Sequence, residues 1–460
     1  MKGWVTSAAA LAIALSAHAS SAAGSFPPPM QVDKLPNGLT VVTVPFDSPG
    51  IVAYYTLVGA GARDEVEPGK SGYAHLFEHL MFRGTDQVSP AEYNRRIQAM
   101  GADDNANTTS ERTLYTTTIP KEALDDLIAV NADRFQHLHY ALDKYKDETG
   151  AVLGERNKVF SNPEAQMYET IDALAFKVHT YGHTTIGSKR DVADMPNQYA
   201  YSLSFFKRFY TPDDTTIFVV GDFDRAHALE KITAAYGGWT GKRAKTNVKP
   251  EPEQKKPRAT NIDWDGPTDP RLFVGYKAAS TGTSLADAAA YATLIAATFG
   301  ESSDLYQRLV VRDAKVLSLE ADPTDVIAHD PTMFVVTSTL KGTTSFDEVV
   351  GAVQGAIDAV ARGELGAAKI EAARNHVQNQ AVLHAQTPGA LASQMAWLAV
   401  TTGDPHGLEK WMGALAAVKA DDVVRVAKTL VPAHRDVVTL VSAPHDAKKD
   451  AKAAKKGAKK

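Results

Sequence analysis

Two histidines and a glutamate in residues 71–85 have the types and spacing of a metal-dependent catalytic site. Residues four positions apart lie on one face of a helix, so His75 and His79 can bind one metal ion together. Glu78 lies beside His79, so its carboxylate can reach the edge of that site and accept a proton from a water there. The pattern His-x-x-Glu-His therefore predicts a hydrolytic metal centre. The alternative is a partly buried helix that carries these residues without a metal.

A catalytic zinc ion normally takes three protein ligands, so two imidazoles need a third partner. The chain contains no cysteine, which leaves a carboxylate or another histidine. Residues 144–158 form a helical pattern with Glu148 and Glu155 seven positions apart, and two helical turns place both carboxylates on one side. Taken alone, this pair is more typical of a solvent-exposed helix face.

The elements that must position these residues form an α/β pattern. Pro36-Asn37-Gly38 supplies the turn of a hairpin over residues 30–45, and residues 51–58 read as a buried strand. Helical patterns follow over residues 72–83, 90–100, 121–136, 143–158 and 163–177. A strand over residues 216–220 and one more helix complete this half.

The alternation of strands and helices then starts again. Lysine, glutamate and proline dominate residues 241–261, which predicts a solvated linker. Strand patterns recur over residues 271–277, 332–340 and 436–441, and helical patterns over residues 284–299, 345–361 and 420–430. Two α/β units of similar plan are indicated. The predicted segments are a signal peptide (1–23), an N-terminal metal-binding domain (24–240), the linker (241–261), a C-terminal domain (262–443) and a Lys/Ala-rich tail (444–460).

The first 23 residues are typical of a secretory signal peptide. Lys2 precedes an apolar stretch over residues 5–17, and small residues allow cleavage after Ala19 or Ala23. A membrane anchor is the less favoured interpretation, and no later segment approaches 18 consecutive apolar residues, so the mature chain is predicted not to span a membrane. We expect secretion across the inner membrane, and the periplasm as destination in a Gram-negative cell.

Composition excludes several classes of protein. With 44% hydrophobic and 22% charged residues, the chain of 460 residues is not wholly disordered. The absence of cysteine excludes disulfides, thiolate catalysis and cysteine zinc sites. The net charge of −5 argues against a nucleic-acid partner. The lysine-rich residues 448–460 and Lys2 together carry +7, so residues 24–447 carry −12 and any basic surface belongs to the tail.

The metal motif and its flanks resemble the pitrilysin/insulysin family of zinc metallopeptidases, in particular its mitochondrial-processing-peptidase-like members. His75-Leu76-Phe77-Glu78-His79 matches the inverted zinc-protease motif. The resemblance extends over nearly the whole mature chain. Its further matches are residues 35–39, 61–65 and 81–85, Asn105-Ala106 with Thr113 and Tyr115, and residues 181–183, 186–187, 210–212 and 220–223.

The resemblance implies a composition for the site. The family places a third zinc ligand about 75 residues after the second histidine, with another glutamate seven residues before it, and Glu155 and Glu148 fit. His75, His79 and Glu155 are thus the implied ligands of one Zn²⁺ ion per chain. Glu78 is the implied general base, and Glu148 a supporting carboxylate. The implied fold is α+β, with two homologous α/β-roll domains, each a mostly antiparallel sheet flanked by helices, forming half of a clamshell peptidase chamber.

Members of this family bind extended peptides by adding a strand to a sheet edge near the zinc. Residues 104–108 match that edge segment, so Asn105, Ala106 and Asn107 are the candidate substrate-binding residues. The alternative for this stretch is a polar loop.

Residues 303–318 depart from the family pattern. Members that carry their own substrate clamp have an arginine and, seven residues later, a tyrosine, where this chain has Val310 and Leu317. Neither side chain can donate a hydrogen bond. Arg308 or Arg312 could substitute after a small register shift. We instead expect a heterodimer in which this chain supplies the zinc and a homologous zinc-less partner supplies the arginine–tyrosine pair.

The sequence therefore predicts a zinc-dependent endopeptidase that hydrolyses extended or unfolded peptides as the zinc-bearing subunit of that heterodimer. A non-catalytic structural subunit of a larger complex is the alternative, and retention of the complete motif disfavours it. Gly69-Lys70-Ser71 is not a phosphate-binding loop, because such a loop needs a glycine at position 64, which is Asp64. His137 and His139 are more typical of surface residues than of metal ligands.

Overall fold

The computed structural model describes residues 26–443. The predicted signal peptide (1–23) and the predicted tail (444–460) lie outside the described residues. Across the described range, no helix is both long enough and apolar enough to cross a membrane.

The first half of the described chain is built on a six-stranded sheet. Its strands are β1 (Gln31–Lys34), β2 (Thr40–Pro45), β3 (Ile51–Val58), β4 (Asp103–Thr108), β5 (Thr113–Pro120) and β6 (Thr215–Gly221). They pair in the order β1-β2-β6-β3-β5-β4, with β2 and β6 parallel and all other neighbours antiparallel. The run IVAYYTLV of β3 is rich in β-branched and aromatic residues and is almost wholly buried. β4 forms an edge of the sheet.

Several helices of this half begin where the sequence supplies a side-chain cap. They are α1 (Tyr73–Leu80), α2 (Pro90–Ala99), α3 (Leu124–His137), α4 (Leu142–Val159), α5 (Pro163–Ala175), α6 (Lys189–Asp194), α7 (Tyr199–Phe209) and α8 (Arg225–Tyr236). The side chains of Ser89, Asn162 and Asp224 accept hydrogen bonds from first-turn N–H groups of α2, α5 and α8. The helical segments predicted over residues 72–177 are all present.

The second half is built on a five-stranded sheet. Its strands are β7 (Arg258–Trp264), β8 (Arg271–Ala278), β9 (Val316–Glu320), β10 (Thr332–Leu340) and β11 (Arg435–Ser442), paired in the order β7-β11-β8-β10-β9. Its helices are α9 (Leu285–Phe299), α10 (Asp304–Tyr306), α11 (Phe346–Ala361), α12 (Ala367–Leu383), α13 (Pro388–Thr402), α14 (Gly407–Ala417) and α15 (Ala420–Ala427), and a π-helical segment spans Gln307–Arg312.

The two sheets share one topology. β7 to β11 repeat the pairing of β2 to β6 in chain order, including one parallel pair, β7 with β11, in the place of β2 with β6. By this correspondence α1 and α9 are equivalent helices, and β4 and β9 are equivalent edge strands. The predicted α+β fold of two similar units is confirmed.

The two halves exchange helices across their interface. Met167 of α5, from the first half, lies in one apolar cluster with Phe273 and Val438 of the second sheet. Conversely, Leu391 of α13, from the second half, lies in one apolar cluster with Phe218 of the first sheet. Each sheet is therefore covered on one face by a helix from the other half.

The segment between the halves differs in part from a solvated linker. Residues 241–257 contain no helix or strand, but β7 begins at Arg258, so the last four residues of the predicted linker belong to the second sheet. The segment also packs on the protein. Gln254 is buried, and the carboxylate of Glu251 accepts backbone hydrogen bonds just after α5, the shortest from Val178 N at 2.8 Å.

Candidate metal centre

The start of α1 is fixed by a glycine and a buried glutamate. Gly72 has a φ of +95°, and a Cβ there would lie 2.6 Å from the carbonyl oxygen of Ile186. The two carboxylate oxygens of Glu65 accept hydrogen bonds from the backbone N–H groups of Gly72 and Ala74, each at 2.7 Å. A carboxylate is favourable at a helix N-terminus, so Glu65 stabilises both the start and the direction of α1.

The rotation of α1 is fixed by its apolar face. Phe77 stacks on Phe205 of α7 with ring centroids 5.1 Å apart. The carbonyl oxygen of Phe77 accepts a hydrogen bond from the hydroxyl of Tyr115 on β5 at 3.2 Å. With this side held against α7 and the sheet, the opposite side of the helix presents His75 and His79 to α4.

His75, His79 and Glu155 converge on one point. Each offers a potential ligand atom, and these atoms all lie within 4.8 Å of one another. Oε2 of Glu155 lies 3.3 Å from Nε2 of His79 and 3.7 Å from Nε2 of His75. Glu155 therefore comes from α4 to the same place that the two histidines reach from α1.

This group of donors fits a zinc ion. Tetrahedral zinc with ligand distances near 2.1 Å requires its ligand atoms to be about 3.4 Å apart, which matches the separations from Glu155. Burial, together with the neighbouring His79, lowers the pKa of His75 to about 4, so this imidazole is neutral at pH 7 and free to bind a metal. Two imidazoles and a carboxylate, with no cysteine, form a donor set typical of catalytic zinc.

Glu148 orients His79 from behind. Its side chain is almost fully buried, and its Oε1 lies 3.2 Å from Nδ1 of His79. That contact, the hydrogen bond above all, raises the pKa of His79. Arg83 forms an ion pair with the second oxygen of Glu148. Burial acts to raise the pKa of Glu148, but hydrogen bonds from His79 and Arg83 hold that pKa below its ordinary value. An ionised Glu148 keeps the proton of His79 on Nδ1, which leaves Nε2 free to face Glu155.

Glu78 lies between the candidate metal site and β4. Its Oε2 accepts a hydrogen bond from the hydroxyl of Thr108 at 2.6 Å. Burial raises the pKa of Glu78 above its ordinary value, and the hydrogen bond from Thr108 opposes this only in part. A carboxylate with a raised pKa near a metal site is a suitable proton acceptor.

The candidate substrate strand is an edge strand, as the resemblance implies. Asn105, Ala106 and Asn107 lie on β4, which pairs with β5 on one side only among the described strands. The backbone N–H of Ala106 donates to Oδ1 of Asn105 at 2.9 Å, so it is not bonded to β5. This edge, adjacent to Glu78 through Thr108, has an N–H group that an added strand could engage.

The two positions of the missing clamp lie in the second half. Val310 is on the π-helical segment and packs partly against the core, whereas Leu317 is on the edge strand β9 with 53% of its surface exposed. Arg308 and Arg312 are exposed on the same π-helical segment as Val310.

Sequence reasoning missed three polar residues around the site. Arg83 follows His79 by four positions, so helical spacing was a usable signal. Thr108 and Arg112 had no such signal. The contact of Thr108 with Glu78 joins β4 to α1, and the contact of Arg112 with Asn107 joins the two ends of a turn.

Comparison with known proteins agrees with the fold. The insulinase family, peptidase family M16, matches residues 48–189, and the domain described as the M16 inactive domain matches residues 199–377. The chain belongs to the M16 peptidase family. The zinc protease PqqE of Helicobacter pylori is 25% identical over 419 residues, which cover 89% of this chain and 92% of that protein. The beta subunit of the mitochondrial-processing peptidase of Blastocladiella emersonii is 26% identical over 225 residues, 48% of each chain.

Solved M16-like structures share the fold. A protease from Helicobacter pylori superposes with a TM-score of 0.83 at 22% identity, covering 91% of this chain and all of that one. The periplasmic protease PqqL from Escherichia coli superposes with a TM-score of 0.73 at 17% identity, over 90% of this chain but only 47% of PqqL. This M16 chain thus has the architecture of one half of that larger clamshell.

Proposed function

We propose that this chain is a zinc-dependent endopeptidase that hydrolyses extended or unfolded peptides. The observation that carries the proposal is the convergence of His75, His79 and Glu155, with Glu78 beside them. The names of its zinc-protease relatives support the same reaction class. In this proposal the three converging residues hold the zinc ion.

The chemistry divides between the metal and Glu78. When bound, zinc lowers the pKa of water in the site toward neutrality and polarises the carbonyl of the scissile peptide bond. The carboxylate of Glu78 accepts the proton of the attacking water and then donates it to the leaving amine, so that one peptide bond is broken and one water is consumed. Thr108 orients that carboxylate through its 2.6 Å hydrogen bond.

The substrate is proposed to bind as an added strand on β4. Asn105, Ala106 and Asn107 supply the edge, and backbone pairing favours an extended peptide of loosely defined sequence. Folded proteins do not present a free strand of this kind, which is why unfolded or flexible peptides are the proposed substrate class.

The working enzyme is proposed to be a heterodimer. Val310 and Leu317 cannot donate hydrogen bonds to a peptide carbonyl, and a homologous zinc-less subunit would supply an arginine–tyrosine pair. The 47% coverage of PqqL is consistent with a chain that forms half of a chamber. The signal-peptide pattern supports secretion, with the periplasm as the destination in a Gram-negative cell.

The decisive experiment compares the wild-type chain with Glu78→Gln. We expect one zinc ion per chain in both proteins, chelator-sensitive cleavage of an unfolded reporter protein by the wild type, and a loss of about 10² to 10⁴-fold in the variant. Wild-type activity equal to that of Glu78→Gln would point to a contaminating protease and refute the proposal. A zinc-loaded chain that cleaves nothing, alone or with its co-purifying partner, would be a non-catalytic subunit.

The heterodimer has its own test. The chain is purified natively, its companion is identified, and cleavage is measured with each alone and with both. We expect the mixture to be at least about tenfold more active than this chain alone, because an oxyanion donor is worth that factor or more. Equal activity without the companion would refute the division of labour.

A further inference from the structure

Arg112 is a buried cation without an anionic partner. It ends the turn between β4 and β5, and only 6% of its surface is exposed. Its Nη1 donates to Oδ1 of Asn107 at 2.7 Å, its Nε has no hydrogen-bond partner, and no carboxylate of residues 26–443 lies within 4.0 Å of it. Burial lowers the pKa of Arg112 to about 10, opposed by the more distant charge of Glu78. A buried guanidinium without an anionic partner is costly to the fold, and a carboxylate bound to it would offset that cost.

The guanidinium lines a cavity between the two halves. This interdomain cavity has a volume of about 570 Å³, and its opposite wall is formed by α12 and α13, including His376, His384 and Trp397. Asp322 also lines it, but its Oδ1 already accepts two hydrogen bonds at 2.8 Å, from the backbone and hydroxyl of Thr324. The cavity is thus large enough for a side chain and is lined by a guanidinium that has no carboxylate partner and whose Nε has no hydrogen-bond partner.

Arg112 connects the interdomain cavity to the β4 edge. Thr108, which holds Glu78, is followed along the chain by the turn 109–112, and Asn107 connects β4 to Arg112 by a hydrogen bond. A peptide that is added to β4 and extends past Thr108 would therefore lie beside the turn that carries Arg112.

We propose that the interdomain cavity is a substrate subsite in which Arg112 binds a carboxylate of the peptide. The carboxylate is either an acidic side chain or the C-terminal carboxylate, since both accept two parallel hydrogen bonds from a guanidinium. The inference rests on the proposed peptidase function and adds a charge preference to it. Arg112 then determines specificity, and it takes no part in the chemistry at the zinc.

The test uses binding, so that it is independent of turnover. Fluorescent peptides that carry no other charges are made in pairs that differ by glutamate or glutamine at one position, each with a free or an amidated C-terminus. Dissociation constants are measured by anisotropy on the zinc-loaded Glu78→Gln chain, alone and combined with Arg112→Gln or Arg112→Lys. Arg95→Gln, which removes an exposed arginine from α2, is the control.

We expect one peptide pair to differ by about 10- to 100-fold in favour of the carboxylate, as charge-assisted hydrogen bonds in a desolvated site do. That difference should vanish in Arg112→Gln, persist in part in Arg112→Lys and remain unchanged in Arg95→Gln. If the glutamate and glutamine peptides differ in affinity, the bound carboxylate is an acidic side chain. If the free and amidated peptides differ, it is the C-terminal carboxylate. A purely structural Arg112 would lower the melting temperature of Arg112→Gln, whereas a binding residue leaves it equal or higher.

Equal affinities across all pairs, absence of binding by any peptide, or a preference that survives Arg112→Gln would overturn the inference. The peptide pairs test it on the unaltered Arg112 chain even where Arg112→Gln fails to fold. If the chain with Glu78 cleaves none of the peptides while the carboxylate preference is present, the proposed peptidase function fails and the Arg112 subsite stands. If the peptides are cleaved but show no carboxylate preference, the proposed peptidase function stands and the Arg112 subsite fails.

Discussion

The equivalent helices α1 and α9 differ in role, because α1 carries candidate metal ligands whereas α9 packs in the core of its half. α1 carries the sequence YAHLFEHL, and its polar residues face α4 and β4. α9 carries LADAAAYATLIAATF, and from Ala288 to Ile295 every residue is buried. Both helices follow the central strand of their sheet, so position in the fold does not decide which half carries the candidate metal site. The difference lies in what packs beside each helix: the carboxylates of α4 lie beside α1, whereas helices α12, α14 and α15 surround α9.

Removing the carboxylate that completes the site should have the largest effect. Glu155→Gln is expected to abolish stable zinc binding and to lower activity by about 10³-fold or more, because several kcal/mol of transition-state stabilisation are lost with the metal. Zinc content by atomic absorption and peptide cleavage check this. Asp147→Asn, an exposed residue on the same helix, should change neither. A Glu155→Gln chain that retains one zinc ion would show that Glu155 is not a ligand.

In the second half, we expect a substitution to lower stability without affecting zinc binding. Leu294→Ala on α9 should lower the free energy of unfolding by about 2–5 kcal/mol, because a fully buried leucine leaves a cavity. The folded variant should bind zinc normally, and chemical denaturation with a metal assay measures both. Leu285→Ala, at the partly exposed start of α9, should cost clearly less. Loss of zinc at full stability would contradict the separation of roles.

Substitution of Glu148 tests whether a residue that contacts a candidate ligand contributes to zinc binding. Glu148→Gln is expected to weaken zinc binding by about 10- to 100-fold, because His79 loses the anion that fixes its tautomer and orientation. Competition with a zinc-selective chelator measures the shift. Affinity equal to that of the wild type would mean that Arg83 and Glu148 serve packing alone.

Asp330 tests the contact between the halves. Its Oδ2 lies 2.5 Å from Nε of Arg63 and 3.0 Å from Nε2 of His179, both in the first half. Burial acts to raise the pKa of Asp330, but hydrogen bonds from His179, His329 and Arg63 hold it well below its ordinary value. Asp330→Asn should cost about 1.5–3 kcal/mol at pH 7.

The sign of the pH dependence follows from that lowered pKa. The stabilisation is fully present above the unfolded-state pKa of about 3.9 and is lost progressively as the pH falls from there toward the much lower folded-state pKa, so the stability difference between the wild type and Asp330→Asn should begin to narrow in acid. Denaturation curves at pH 7 and pH 3.5 measure this. Asp269→Asn, on an exposed loop, is the control. A stability difference that grows toward acid would contradict the assignment.

Local sequence pattern was sufficient to predict the helices that carry the candidate metal centre. The spacing of His75, Glu78 and His79 predicts a helical face, and α1 has it. The seven-residue interval between Glu148 and Glu155 predicts one side of α4, although only the family resemblance assigned a role to these carboxylates. Long periodic elements such as α4, α9 and β10 were predictable for the same reason, since each is specified by its own residues.

Features that depend on distant partners were not predictable from local sequence pattern alone. β4, with the sequence DDNANT, has a polar composition typical of a loop and is a strand because β5 pairs with it. Helix α13 lacks a single narrow apolar face because the first sheet and α14 bury it from different sides. The burial of Arg112 is created by the second half, about 210 to 300 residues further along the chain, so no short-range signal exists for it.

The exchange of α5 and α13 makes the two halves covalently separable but not physically independent. A protease cut within residues 241–257 would leave one fragment with a bare sheet face and an orphaned α5, and another with a bare sheet face and an orphaned α13. Each fragment would complete the core of the other, so the nicked chain should stay together as a non-covalent pair and unfold in one transition. Expression of either half alone should give an aggregating polypeptide, because each would expose the apolar surface that its counterpart covers.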